Sequence, residues 1–120
     1  MADVYELFCN GTRLLEQRDF HAAAVPLSRA RELEPDKDSI REALGRALFH
    51  SQRYREAAEE FETIADSRPT DDYAQFCLGR SLQQLGRHAE ARGPLTLAAN
   101  LKPQRDDYRR YLDRARRRAA

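Results

Sequence analysis

The sequence has no tryptophan, one methionine, two cysteines and only two lysines, Lys37 and Lys102, beside nineteen arginines. No apolar run approaches the ~20 residues that a membrane span needs, so a spanning segment is excluded. The opening stretch "MADVYELFCNG" carries two acids and lacks the basic-then-apolar layout of a secretory signal. A cytoplasmic setting is the expectation. Two cysteines cannot supply a disulfide framework. With a net charge of +1, the chain has no overall field that advertises nucleic acid. The dearth of lysine reads as the codon usage of a GC-rich bacterial genome, with selection for bidentate arginine contacts as the competing account.

What is present is a period. Gly11, Gly45 and Gly79 stand thirty-four residues apart, as do Ala23, Ala57 and Ala91, and Pro35, Pro69 and Pro103. Proline forces the residue before it out of helical conformation. Helix-start residues follow each one: Asp36 and Asp38, then Thr70, Asp71 and Asp72, then Asp106 and Asp107. Each proline therefore ends one helix and precedes another. A second break falls inside every unit, at "EQRD", "HSQR" and "QLGR". The pattern predicts two helices per unit, over 4–17 and 21–33, 38–51 and 55–67, and 72–85 and 89–101. A mid-helix glycine costs ~1 kcal/mol relative to alanine, so three in one register point to a close helix crossing. Leu14, Leu48 and Leu82, with Leu27, Phe61 and Leu95, are placed to fill the space around it. Pro26 and Pro94 fall inside second helices, where a tolerated bend is expected.

These features resemble the tetratricopeptide repeat, a helix–turn–helix of thirty-four residues. The likeness covers 4–37, 38–71 and 72–105. Leu44-Gly45 and Leu78-Gly79 match the family's Leu-Gly pair, Asn10-Gly11 matches it in part, and the later alanine, large apolar residue and proline recur in all three. The family's aromatic near the start of each unit is replaced by Leu7, Arg41 and Gln75, a departure expected to loosen packing. The segment 106–120 places Tyr108, Tyr111, Leu112, Ala115 and Ala119 on one helical face and arginines on the other. It reads as the terminal cap that a stack of repeats needs, with a basic arm as the alternative. The expected fold is one all-α domain over 1–120, a right-handed solenoid of three units plus the cap, seven helices in all.

No arrangement suited to catalysis or cofactor binding emerges. His21, His50 and His88 fall in different units without a second ligand at helical spacing, so no metal site is expected. Neither a Ser-His-Asp order nor a phosphate-cradling glycine loop occurs. Cys9 and Cys77 should lie roughly 20 Å apart given the helix spacing, beyond the reach of a disulfide, and are read as small buried or half-buried residues. The chain is expected to be no enzyme.

The resemblance implies instead a concave groove lined by the first helices. Carried over, its positions are Tyr5, Phe8, Thr12 and Leu15 in the first unit, then Ser39, Glu42, Arg46, Phe49 and His50 in the second. The third supplies Tyr73, Phe76, Arg80, Gln83 and Gln84, and the cap adds Arg110 and Arg114. The implied partner is a protein or peptide segment rich in acidic and large apolar side chains. One subfamily clamps chaperone C-terminal carboxylates with Lys, Asn and Arg, but the matching positions here are Phe8, Thr12, Ala43, Tyr73 and Cys77. Binding of that kind is disfavoured. Self-association is the alternative function, and nucleic-acid binding through the arginine-rich cap ranks below it.

Overall fold

A computed structural model describes residues 2–119. These form seven helices with no strand among the described residues: α1 (Val4–Glu16), α2 (Phe20–Leu33), α3 (Asp38–His50), α4 (Tyr54–Ser67), α5 (Asp72–Gln84), α6 (His88–Leu101) and α7 (Asp106–Ala119). The helix ends fall within one residue of the spans the periodicity predicts. The chain divides into two compact halves, Met1–Glu60 and Phe61–Ala120, with the division inside α4. In the first half α1 packs on α2, and α2 on α3; in the second, α5 packs on α6, and α6 on α7.

The glycine register has a direct steric cause. A Cβ at Gly79 would stand 2.5 Å from Leu95 Cγ, and one at Gly11 would overlap Leu27 in the same way. Leu27 and Leu95 are wholly buried, so neither can swing aside, and Ala23 and Ala91 are buried beside them. Glycine on one helix and alanine on its partner let the backbones approach. Gly45 is buried too.

The break between paired helices also repeats. Arg18, Gln52 and Gly86, each the third residue of its break, have φ of 60°, 63° and 78°. The amides that follow, of Asp19, Arg53 and Arg87, each donate at 2.9 Å to the carbonyls of Leu14, Leu48 and Leu82. Residues 18, 52 and 86 donate to the carbonyls of Leu15, Phe49 and Gln83. This double bonding is the Schellman closure of a helix C-terminus, whose left-handed residue is most easily glycine. Only the third repeat has it.

At the other junction each proline opens a tight turn. The amides of Lys37, Asp71 and Arg105 donate back to the carbonyls of residues 34, 68 and 102, with proline at the second position, where its fixed φ fits. Six residues beyond each proline a long polar side chain returns to its carbonyl. Arg41 Nε donates to Pro35 at 2.9 Å, Gln75 Nε2 to Pro69 at 3.1 Å, and an Arg109 Nη to Pro103 at 3.2 Å. The departure expected to loosen packing is thus a hydrogen-bonded clasp at positions 41 and 75. The expected acidic helix starts hold only in part: Asp71 caps α5 through the Ala74 amide at 3.1 Å, whereas α3 begins after Lys37 without a side-chain cap.

In the first half Arg41 also pairs with Glu60 Oε1 at 2.8 Å, and Arg31 holds the other carboxylate oxygen. Glu60 is only 4% exposed. Burying it is tolerable because two guanidiniums replace its water. In the second half α7 buries Tyr108, Leu112 and Ala115, the face read as a cap. Tyr108 is fully enclosed, and its hydroxyl donates to Asp72 Oδ2 at 2.7 Å. Cys77 is buried as expected, but Cys9 is exposed on α1. Its neighbours on that face, Tyr5 and Glu6, are themselves exposed, and a side-chain hydrogen bond joins Cys9 to Tyr5.

Three substitutions test this construction by denaturant unfolding. Gly79→Ala should lower stability by a net 1–2 kcal/mol or so, because overlap with Leu95 outweighs the gain in helix propensity. A stabilised variant would refute the close crossing. Gln52→Gly should raise stability by about 0.5–1 kcal/mol by relieving the left-handed residue, while Gly86→Ala should lower it by about 1 kcal/mol.

Candidate functional site

On α1, Tyr5 is 75% exposed. Phe8 lies half-buried against Leu7, Ala30 and Ile40. Thr12 is half-buried, and its hydroxyl donates to its own helix, at the Phe8 carbonyl 3.0 Å away. On α3, Glu42 is half-buried and Arg46 exposed. The half-buried Phe49 meets His50 and Tyr54 edge-on, with ring centroids 5.6 and 5.2 Å apart. His50 in turn stacks on Phe20 at 4.4 Å. Of these first-half positions, Tyr5, Arg46 and His50 are exposed. Phe8 and Phe49 are half-buried.

The second half draws its predicted residues closer together. Tyr73 is half-buried on α5. Phe76 stacks on Tyr108 with centroids 4.5 Å apart and meets Tyr111 edge-on at 5.6 Å. Much of this ring is therefore engaged within the fold. Arg80 and Arg114 both lie over the Tyr111 ring, 4.0 and 4.9 Å from its centroid. Gln83 is 9% exposed, and its Nε2 donates to the Tyr111 carbonyl at 2.8 Å. Its side chain is thus anchored rather than extended to solvent. Arg80, Gln83 and Arg114 line one cavity of about 200 Å³ together with Gln84, His88 and Arg118. Tyr73 and Arg110 do not line it; Arg110 is exposed on α7.

Sequence reasoning placed Tyr111 on the capping face, counted Arg118 only among the arginines of the alternative basic arm, and gave His88 no binding role. Arg114 and Arg118 stand four apart on α7, a spacing that puts both on one helical face, and that signal was available. His88 was not accessible in this way, because it arrives from the start of α6. A broader depression of about 650 Å³ lies elsewhere in this half, lined by Gln75, Arg92, Gly93, Pro94, Thr96, Leu97 and Arg116. Interior proline there coincides with a surface hollow.

A family model of the tetratricopeptide repeat matches residues 14–77, and a second such model matches residues 51–109. The chain belongs to the tetratricopeptide repeat family. Among solved structures it is similar to MamA from Desulfovibrio magneticus RS-1, at 20% identity and a TM-score of 0.92, covering 98% of this chain and 66% of that one. It is also similar to MamA of MSR-1, at 24% identity and TM-score 0.87, covering 95% of this chain and 66% of that one. The Sgt2 TPR domain from Aspergillus fumigatus matches at 17% identity and TM-score 0.84, with 97% of this chain and 78% of that one covered. At these identities the likeness is one of fold. This chain spans 66% of the length of those MamA chains. No curated protein matches it. No helix among the described residues is long and apolar enough to cross a membrane.

Tyr108 gives the second half a pH signature. Burial pushes its hydroxyl pKa up, and the bond to the Asp72 carboxylate adds to the rise. The neutral phenol is favoured by the fold, so its contribution is complete below the ordinary tyrosine value near 10. It is lost as pH climbs past that value towards the raised one. Tyr108→Phe should cost about 1–3 kcal/mol at neutral pH through the missing hydrogen bond. It should also lose stability less steeply above pH 10 or so than the wild type does. Parallel alkaline slopes for the two proteins would remove this assignment.

Proposed function

We propose that the chain is a non-enzymatic interaction module that holds an extended protein segment along the first helices of its repeats. The observation that carries this reading is the family match over residues 14–77; tetratricopeptide domains bind protein or peptide partners. The proposed contacts are Tyr5, Phe8, Thr12, Glu42, Arg46 and Phe49 in the first half, and Tyr73, Phe76, Arg80, Gln83, Arg110 and Arg114 in the second. Arginines beside aromatic rings suit a segment that mixes carboxylates with large apolar side chains. A cytoplasmic setting and a partner other than nucleic acid belong to the same reading. The repeats are taken as 4–37, 38–71 and 72–105, with the cap after them.

The fold sets a hierarchy among these contacts. Phe76 supports Tyr108 and Tyr111, so its truncation disturbs packing as well as binding. Tyr5 tests recognition more cleanly because it is exposed. Self-association is the second reading, favoured by Val25, Leu33 and Leu97, which are apolar and exposed on α2 and α6. Sedimentation at two concentrations separates the two.

A partner segment isolated by affinity capture and titrated calorimetrically provides the test. Tyr5→Ala should weaken its binding by ~2 kcal/mol if the ring is an anchor. Arg46→Ala should cost at most ~1 kcal/mol, since an exposed ion pair is worth little. Unaltered affinity in both variants would place the binding surface elsewhere.

A further inference from the structure

One mid-helix glycine has no use inside the fold. Gly93 lies within α6, where glycine is a poor helix former. A Cβ there would meet no atom within 4 Å, whereas one at Gly79 would overlap Leu95. Pro94 follows it inside the same helix and lacks the amide that would bond the Glu90 carbonyl. Both residues line a hollow of about 650 Å³ together with Leu97, itself 46% exposed. Arg92 and Arg116 line it too, and no carboxylate among the described residues does. Both arginines are exposed, and Arg116 has Asp113 3.9 Å away. Such charges orient an incoming group without holding it. The apolar part of the lining is what offers affinity.

The chain itself carries a fitting knob. Outside that hollow, the large hydrophobic side chains exposed among the described residues are Tyr5, Val25 and Leu33. Tyr5 shares a side-chain hydrogen bond with Cys9 and stands among the contacts proposed for the extended segment. Val25 lies within α2 with His21 and Arg29 one turn to either side, both exposed, and no carboxylate within a turn. It would bring a guanidinium towards Arg92 and Arg116. Leu33 is the last residue of α2 and 54% exposed. Glu32, Pro35 and Asp36 are exposed around it, which makes a corner able to enter a hollow ahead of the helix body. Arg31 and Lys37 pair with Glu60 and Glu34, so Glu32 and Asp36 are offset by Arg29 alone. The corner joins an apolar side chain to an acidic surround.

We propose that the hollow of one copy of the chain receives Leu33 of a second copy, with Glu32 and Asp36 of that copy facing Arg92 and Arg116. Gly93 supplies the room. Opposite charge selects this pairing over one between two hollows, which would set arginines against arginines. Knob and hollow come from different helices, so the contact is heterologous, and association runs head to tail into a chain or closes into a ring. One leucine with a charged rim is a small contact, and the association is of the weak, transient class. The inference rests on the self-association reading and uses none of the contacts proposed for the extended segment.

Sedimentation equilibrium of the whole chain, followed to about 1 mM so that weak pairing still registers, provides the test. The wild type should show a mean mass that climbs with concentration, less steeply at high salt because the rim is ionic. Leu33→Ser and Gly93→Gln should each weaken the association by about tenfold or more. Gly93→Gln should melt no lower than the wild type, because its side chain meets open space and glutamine is the better helix former. Its loss of association then cannot come from loss of fold. The deciding measurement is a mixture. Leu33→Ser keeps the hollow and Gly93→Gln keeps the knob, so together they should form one-to-one pairs that neither forms alone. A wild type monomeric throughout the range would overturn the proposal. So would association that survives either substitution, a mixture that stays monomeric, or loss of association in Val25→Ser while Leu33→Ser is unaffected. None of these outcomes bears on the titration of the captured segment with Tyr5→Ala and Arg46→Ala, so the two readings fail separately.

Discussion

Everything about where side chains point in this chain depends on how closely two helices can cross. A glycine on the first helix and a buried leucine on the second, Gly11 with Leu27 and Gly79 with Leu95, lock the pair at a separation that no Cβ would permit. The propensity penalty of ~1 kcal/mol per glycine is offset by the apolar surface that closes around each fully buried leucine, worth about 1.5–3 kcal/mol per side chain. Once that distance is set, the inward face of each helix is determined. The residues left facing away, Tyr5 and Arg46 among them, become the surface available to another protein. Function here is the remainder of a packing solution.

Backbone closures then convert a helix pair into a repeat. The left-handed residue at the inner break and the proline turn at the outer one recur at fixed offsets. So do the side chains of Arg41, Gln75 and Arg109, which accept no aromatic role yet return to a proline carbonyl. A polar clasp gives less dispersion energy than an aromatic ring but satisfies a backbone acceptor directionally. In the first half the clasp is strengthened by Glu60, whose burial between Arg31 and Arg41 makes the cluster intolerant of losing either sign of charge.

The helices, their ends and the buried glycines were legible in the sequence because each rests on local or strictly periodic chemistry. Tyr108, Leu112 and Ala115 were legible as a buried face for the same reason, since helical periodicity reports a face without naming what covers it. The engagement of Phe76 was not. Its rings of contact come from residues 32 and 35 positions onward in the chain, and a single helix pattern cannot show whether an aromatic meets solvent or a later helix. Gln83 was read as a groove position on its face alone, although a backbone carbonyl of α7 holds its amide. Cys9 occupies the same register as the buried Cys77, yet is exposed. Equivalent positions in a repeat share geometry but not neighbours, and the first copy has no preceding helix among the described residues. Arg18 and Gln52 hid the left-handed turn that Gly86 announces.

The charge of the whole chain conceals a local concentration. A net +1 offers almost no long-range steering, yet α7 gathers Arg116, Arg117 and Arg118 in its last turn and Asp106 and Asp107 in its first. Both groups complement the helix dipole, so the segregation has a folding reason independent of any ligand. Its consequence is nevertheless a cationic end. At physiological salt a field from exposed charges decays within about 8 Å, which makes distance from that end decisive. Arg114 and Arg118, though exposed themselves, line one hollow together with Arg80. Arg110 and Arg117, exposed on the same helix, carry equal charge and do not line it. The total number of arginines is therefore a poor guide to where positive potential concentrates.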